Sequence, residues 1–129
     1  MLKSLLIVAA ALVTSTAAIA YDSPDVRLQK VLEGRVAGQP VRCLPLSRVS
    51  SSEIIDGKAI IYRVGSKLYV NEPRSGAESL RRDDIAVTRV LNGQLCSIDP
   101  VNLVDRASRF WHGFVTLGEF VPYTKPKAG

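Results

Sequence analysis

Three tight-turn signals divide the middle of this chain and constrain its fold more than any other feature. Asp56-Gly57 separates Glu53-Ile54-Ile55 from Lys58 to Val64, and Gly65-Ser66 leads into Lys67 to Asn71. Asn92-Gly93 separates Ile85 to Leu91 from Gln94 to Ile98. Asx-Gly pairs accept the positive φ angles that two-residue hairpin loops demand, and Asn92-Gly93 is the strongest such signal here. Around the first two turns Ile60, Tyr62 and Val64 alternate with Ile61, Arg63 and Gly65, the two-residue period of a strand with one apolar face.

Further extended pieces are expected at Val41 to Leu44, Val101 to Val104 and Gly113 to Val121, with a loop over Asn71 to Ser79. A single helix is predicted over about 24–36. Ser23 is a good N-cap, Pro24 suits the first helical position, and Asp25 favours the positive end of the dipole. Leu28, Val31, Leu32 and Val36 follow at helical spacing, Gly34 and Gly38 are candidate stops, and Pro40 forbids continuation. The expected fold is mainly β with one N-terminal helix: a small antiparallel barrel or sandwich of six or seven strands. The β region spans about 41–121, and a short polar tail covers 124–129.

Ahead of this domain, residues 1–20 read as a cleavable signal peptide. Met1-Leu2-Lys3 is positive, Leu5 to Val13 is apolar, and Ala18-Ile19-Ala20 has the small-x-small pattern of a processing site. The apolar run is shorter than the roughly 20 residues a membrane-spanning helix needs. No later stretch is long and apolar enough to span. The segment is expected as a helix without a core of its own, leaving one mature domain over 21–129. Export to the periplasm or beyond follows from this reading.

Export also decides how the two cysteines are read. Cys43 and Cys96 are expected to pair, because disulfides persist in oxidising compartments. The alternatives are two free thiols or half a metal site, and with one histidine in the chain the ligands are too few for structural zinc. The net charge is +5, and Lys3 alone leaves with the signal. Such a balance attracts anionic glycan, lipid or nucleic acid. Outside the cytoplasm nucleic acid is the least available of these, and none is expected as a partner. Arg81-Arg82 is the one adjacent basic pair, followed at once by Asp83-Asp84.

Reaction motifs are absent. There is no Gly-x-Ser-x-Gly elbow, HExxH, CxxC, EF-hand loop, GxGxxG or Walker A sequence, so no catalytic residue, metal site or cofactor is expected. His112 is expected at a loop or strand end beside a packing Trp111. Asp83 and Asp84, as strand neighbours, would point to opposite faces and not form an acid–base pair. Aromatic residues at strand positions usually belong to a core. The cluster of Phe110, Trp111 and Phe114, with His112, Arg81 and Arg82, is nonetheless the candidate ligand-contact set.

Arg42-Cys43-Leu44, Ile54-Ile55-Asp56-Gly57, Leu68-Tyr69-Val70-Asn71, Leu95-Cys96-Ser97-Ile98-Asp99 and Leu117 to Tyr123 together carry a resemblance. In order and spacing they are similar to a family of small exported Gram-negative bacterial proteins known only as a domain of unknown function. The resemblance covers nearly the whole mature domain and implies no activity. Many members have four cysteines, two matching Cys43 and Cys96. The other two would fall near Ala77 and Val115, and their joint absence here implies that they pair with each other in relatives. It leaves open how rigid the 73–80 loop is.

Three functions remain. The first is a non-enzymatic binding or structural domain of the cell envelope, recognising an anionic component or another protein. The second is a periplasmic inhibitor of a hydrolase, presenting the Asn71–Ser79 loop. The third is a small hydrolase using His112.

Overall fold

The structure is a computed structural model that describes residues 9–13 and 22–127. Most of the expected signal peptide, including its processing site, lies outside these residues. Residues 9–13 are irregular, not helical, with Leu12 91% and Val13 86% exposed. A short apolar segment with nothing to pack against gains too little in water to hold a helix.

Among the described residues the chain forms one helix, α1 (Pro24–Val31), and ten strands. These are β1 (Val36–Ala37), β2 (Cys43–Pro45), β3 (Val49–Ile55), β4 (Ala59–Val64) and β5 (Lys67–Asn71), then β6 (Asp84–Val87), β7 (Gln94–Cys96), β8 (Pro100–Asp105), β9 (Trp111–Thr116) and β10 (Phe120–Thr124). They make a five-stranded sheet in the order β1-β10-β5-β4-β3, a three-stranded sheet β6-β8-β9 and a two-stranded ladder β2-β7, all antiparallel. None closes into a barrel; the arrangement is sandwich-like, and the strand total exceeds six or seven because three pieces are only two or three residues long.

Ser23 Oγ accepts the Val26 N–H, and Pro24 and Asp25 occupy the first turn of α1 as the sequence predicts. The helix stops at Val31, short of the expected position 36. Residues 32–34 turn, with Gly34 at φ 76°, so that Val36 and Ala37 can pair with Thr124 and Tyr123 of β10. The Gly65-Ser66 turn joins β4 to β5 as a two-residue loop, as expected, whereas Asp56-Gly57 joins β3 to β4 with Lys58 as a third loop residue, Ile55 pairing with Ala59.

The Asn92-Gly93 hairpin does not form. β6 ends at Val87 and pairs with β8, whereas β7 pairs with β2. Cys43 lies directly opposite Cys96 across that ladder and is disulfide-bonded to it. Leu44 and Leu95 beside them are buried. The bridge closes a loop of 53 residues, worth about 4 kcal/mol in the chain-entropy account. A distant pairing that combines a bridge with core burial outweighs a local turn preference.

The strand expected over Gly113 to Val121 is instead two, interrupted at 117–119 where the chain passes from one sheet to the other. Asn71, fully buried, holds this crossing: its Nδ2 donates to Gly118 O (2.8 Å) and its Oδ1 accepts the Gly118 N–H (2.9 Å). A Cβ on Gly118 would sit 2.5 Å from Glu72 O, so only glycine allows the approach.

The main core lies between the two larger sheets. Ile54, Ile60, Tyr62 and Phe120 face Val101, Leu103 and Val115, with Leu44, Leu80, Leu95 and Leu117 completing it. Tyr62 and Phe120 meet edge to face, centroids 5.7 Å apart. Tyr62 Oη has no hydrogen-bond partner among the described residues, and burial holds its hydroxyl well above the ordinary tyrosine range. The opposite face of the five-stranded sheet (Ile55, Ala59, Ile61, Leu68 and Val70) is covered by Leu28 and Val31 of α1, by Leu32 at its C-terminal cap and by Tyr123. Those helix side chains are half-buried and contribute about 1 kcal/mol each, roughly half the value for full burial. Arg27 pairs with Asp56 (3.0 Å), and Lys58 Nζ bridges Glu72 (3.2 Å) and Asp25 (3.3 Å), pinning the helix in place. The hydrogen bonds to Glu72 and then Asp25 raise the Lys58 ammonium above its usual range.

Candidate functional site

The register of the three-stranded sheet decides which residues share its outer face. Val101 and Leu103 oppose Val115 and Gly113 on the core side. Asn102 opposes Phe114 and Val87, and Val104 opposes Trp111 and Ile85. Ile85, Val87, Asn102, Val104, Trp111 and Phe114 therefore line one outer face. Phe114 is 58% and Trp111 56% exposed, and neighbouring Phe110 is 74% exposed. The expectation that Trp111 packs is thus corrected: the inward-facing positions of β9 are Gly113 and Val115, and Trp111 falls on the opposite side.

A register shift between Leu103 and Val104 marks a bulge at His112. Bulges re-aim side chains. Here Trp111 stays outside while His112, at the start of β9, reaches across β8 to Asp84 of β6. His112 Nε2 lies 2.7 Å from Asp84 Oδ1, whose side chain is almost wholly buried. Asp84 Oδ2 accepts the Arg81 N–H (3.2 Å). The contact fastens the two outer strands of the sheet to one another. Asp83, by contrast, is exposed in the preceding turn, so the two carboxylates do not face each other.

The same end of the sheet gathers the basic residues. Asp84 pairs with Asp105, and the β8–β9 connection closes with the Asp105 N–H on Phe110 O (2.9 Å) and the Arg109 N–H on Asp105 O (2.8 Å). Arg81 and Arg82, just before β6, and Arg106 and Arg109, in this connection, therefore lie at one end of the sheet with Phe110 and Trp111. Arg109 holds φ 65°, the left-handed region that glycine or asparagine usually occupies. Arg82 Nε pairs with Asp56 (3.1 Å), so Arg82 is not neutralised by the aspartates that follow it. Arg81, Arg106 and Arg109 have no carboxylate within 4 Å among the described residues. Asp105 Oδ1 accepts the N–H groups of Ser108 and Ala107 (2.8 and 2.9 Å). The Ser108 N–H and then its hydroxyl, followed by the Ala107 N–H and nearby His112, depress the Asp105 carboxyl below its usual range.

A cleft of about 390 Å³ runs from this end toward β3. Arg27, Arg82 and Arg106 line it against Glu53, Asp83 and Asp84, so its charges balance. No group of three or more His, Cys, Asp or Glu among the described residues is placed to hold a metal ion.

The Phe110, Trp111, His112, Arg81 and Arg82 set is thus brought to one sheet end, with His112 turned inward and the aromatic residues outward. Reasoning from sequence missed Arg106, Arg109 and the His112–Asp84 contact. The first two were legible as the connection between two strands, whereas the bulge that aims His112 has no sequence signature.

The 72–76 loop is fastened to β9: Arg74 N–H donates to Thr116 O (2.8 Å), Thr116 N–H to Ser75 O (3.1 Å). A Cβ on Gly76 would approach Val115 Cα to 3.2 Å. The loop is held without cysteines.

No family model, curated protein or solved structure matches the chain. The Cys43–Cys96 bridge points to an oxidising, non-cytoplasmic location. No helix among the described residues is long and apolar enough to cross a membrane.

Proposed function

We propose that this is a non-enzymatic binding domain of the cell envelope, exported by its first twenty residues, with the outer face of the three-stranded sheet as its ligand surface. The observation that carries the reading is the exposure of Phe110, Trp111 and Phe114 on a domain that covers the matching face of its other sheet with α1. Contiguous exposed apolar surface on a small domain marks an interaction site more often than scattered apolar residues do. The resemblance to small exported Gram-negative proteins supports the location. Its implied second bridge is supported by the way the 74–77 segment lies against β9.

The chain holds one tryptophan, Trp111, so its intrinsic fluorescence reads this surface directly. Titration with cell-envelope fractions at low salt should shift its emission to the blue, and an emission unmoved by every fraction would remove the proposal. The protein recovered from an exporting cell should begin at Tyr21; an intact Met1 would remove the export step.

The His112–Asp84 contact favours a second reading, a hydrolase with a histidine base. It is weaker, because both cysteines are bridged and no hydroxyl nucleophile hydrogen-bonds to His112 among the described residues. Any hydrolytic activity that survives His112→Ala eliminates it. An inhibitory role for the Asn71–Ser79 loop is not favoured either, since the loop is fastened along β9.

A further inference from the structure

We infer that the β8–β9 tip and the sheet face behind it seat the domain on an anionic lipid surface. This rests on reading that face as the ligand surface and names the ligand. Three features of the site argue for lipid.

The first is the apolar composition of the sheet face beside the rings. Of the residues sharing the face with Trp111 and Phe114, Ile85, Val87 and Val104 are apolar, and only Asn102 can hydrogen-bond to a ligand. Rings that stack on a sugar need hydrogen-bond partners on the face itself, whereas the donors here lie at its rim. An acyl-chain boundary needs none. Phe110 and Phe114 have no polar atom in their side chains, and Trp111 has the amphipathic ring that suits the membrane interface.

The second is the charge at the rim. Arg81, Arg106 and Arg109 lie at the same end of the sheet as Phe110 and Trp111, Arg106 also lining the cleft toward β3, and have no carboxylate within 4 Å among the described residues. Of the acids at that end, Asp84 faces His112, Asp105 accepts the tip N–H groups, and Asp83 is exposed. Guanidinium groups suit lipid phosphates, which they can engage bidentately, and their stems can lie along apolar surface while the charge stays in the headgroup layer.

The third is placement. Arg109 is kept in a left-handed backbone conformation that glycine would adopt without strain. The tip therefore carries a cation where local geometry alone would favour none.

The test uses the exported form with vesicles of phosphatidylethanolamine, with and without phosphatidylglycerol. Trp111 emission should shift to the blue, and the protein should co-sediment, with the anionic vesicles alone. Exchanging Arg106→Gln should lower partitioning about fivefold, and Arg109→Gly a further fivefold or so, since each arginine near such a surface is worth that factor. Phe110→Ser with Phe114→Ser should abolish the shift while the thermal midpoint stays put. Equal binding to both vesicle types, or binding indifferent to the phenylalanine exchanges, would overturn the inference. A Trp111 shift with isolated peptidoglycan or with detergent-solubilised envelope protein, but not with vesicles, would overturn the lipid assignment and leave the surface standing. No shift with any of these removes both.

Discussion

The two larger sheets share one core and differ on their outer faces. Outside the five-stranded sheet, Ile55, Ala59, Ile61, Leu68 and Val70 are closed over by α1 and Tyr123. Outside the three-stranded sheet, Val104 is buried, Ile85, Val87 and Asn102 are half-buried, and Trp111 and Phe114 stand in solvent. Both faces are apolar, so composition does not separate them. The difference is that the chain has a capped, salt-bridged helix to spend on one of them. An apolar sheet face is stable in water only when covered, or when its cost is small against the core behind it. The second face therefore reads as kept open for a ligand.

That contrast is most sharply broken, or upheld, with a pair of phenylalanines. Phe120 is fully buried between the sheets against Tyr62. Phe120→Ala should cost about 3–5 kcal/mol, measured by denaturant titration. A loss under about 1 kcal/mol would mean that the two sheets do not share a core. Asn71→Ala comes next. It strands the buried N–H and C=O of Gly118 at the crossing between the sheets and should cost about 1–3 kcal/mol. On the open side the signs change. Arg109→Gly should stabilise by about 1 kcal/mol, since it relieves the left-handed backbone at φ 65°. Phe114→Ser should leave stability within about 0.5 kcal/mol, as exposed substitutions do. A large loss from Phe114→Ser would place that ring in the fold's own packing and weaken the case for a ligand surface.

Much of the fold was readable because its local and global signals agree. Asp56-Gly57 and Gly65-Ser66 turn where the alternation of Ile60, Tyr62 and Val64 needs them to, and Ser23-Pro24 opens the helix that covers the sheet. The sequence misled where a distant partner decides the outcome. Asn92-Gly93 has the better hairpin chemistry, yet β7 belongs to β2 through Cys43 and Leu44, which lie far away in the chain. The fold is held by joints of this kind. Cys43 meets Cys96, Asn71 meets Gly118, and Asp56 takes Arg27 and Arg82. Phe110, Trp111, Arg106 and Arg109 take part in none of these joints. The residues nearest the candidate surface are thus free of the joints that hold the fold. Their exposure was hidden from sequence because Phe114 and Val115 differ only in which side of a strand they occupy.

The smallest expected effect probes the tip itself. Asp105 holds the β8–β9 connection by accepting the Ser108 and Ala107 N–H groups, and these contacts depress its carboxyl below the ordinary range. A depressed carboxyl binds its proton less readily in the folded than in the unfolded chain. Its contribution is therefore fully present above the unfolded value near 4 and is lost as pH falls through the lower folded value. Asn can accept the same N–H groups but carries no charge. The thermal midpoint of the wild type should thus exceed that of Asp105→Asn slightly at pH 6, and the gap should close as pH falls below the ordinary carboxylate range. A gap that persists at low pH would assign the effect to shape and not to charge. Because Asp105 is only half-buried and the tip lies outside both cores, the change should stay small and local. Trp111 fluorescence should register it more clearly than global unfolding does, as expected of a tip attached to the fold but not built into its core.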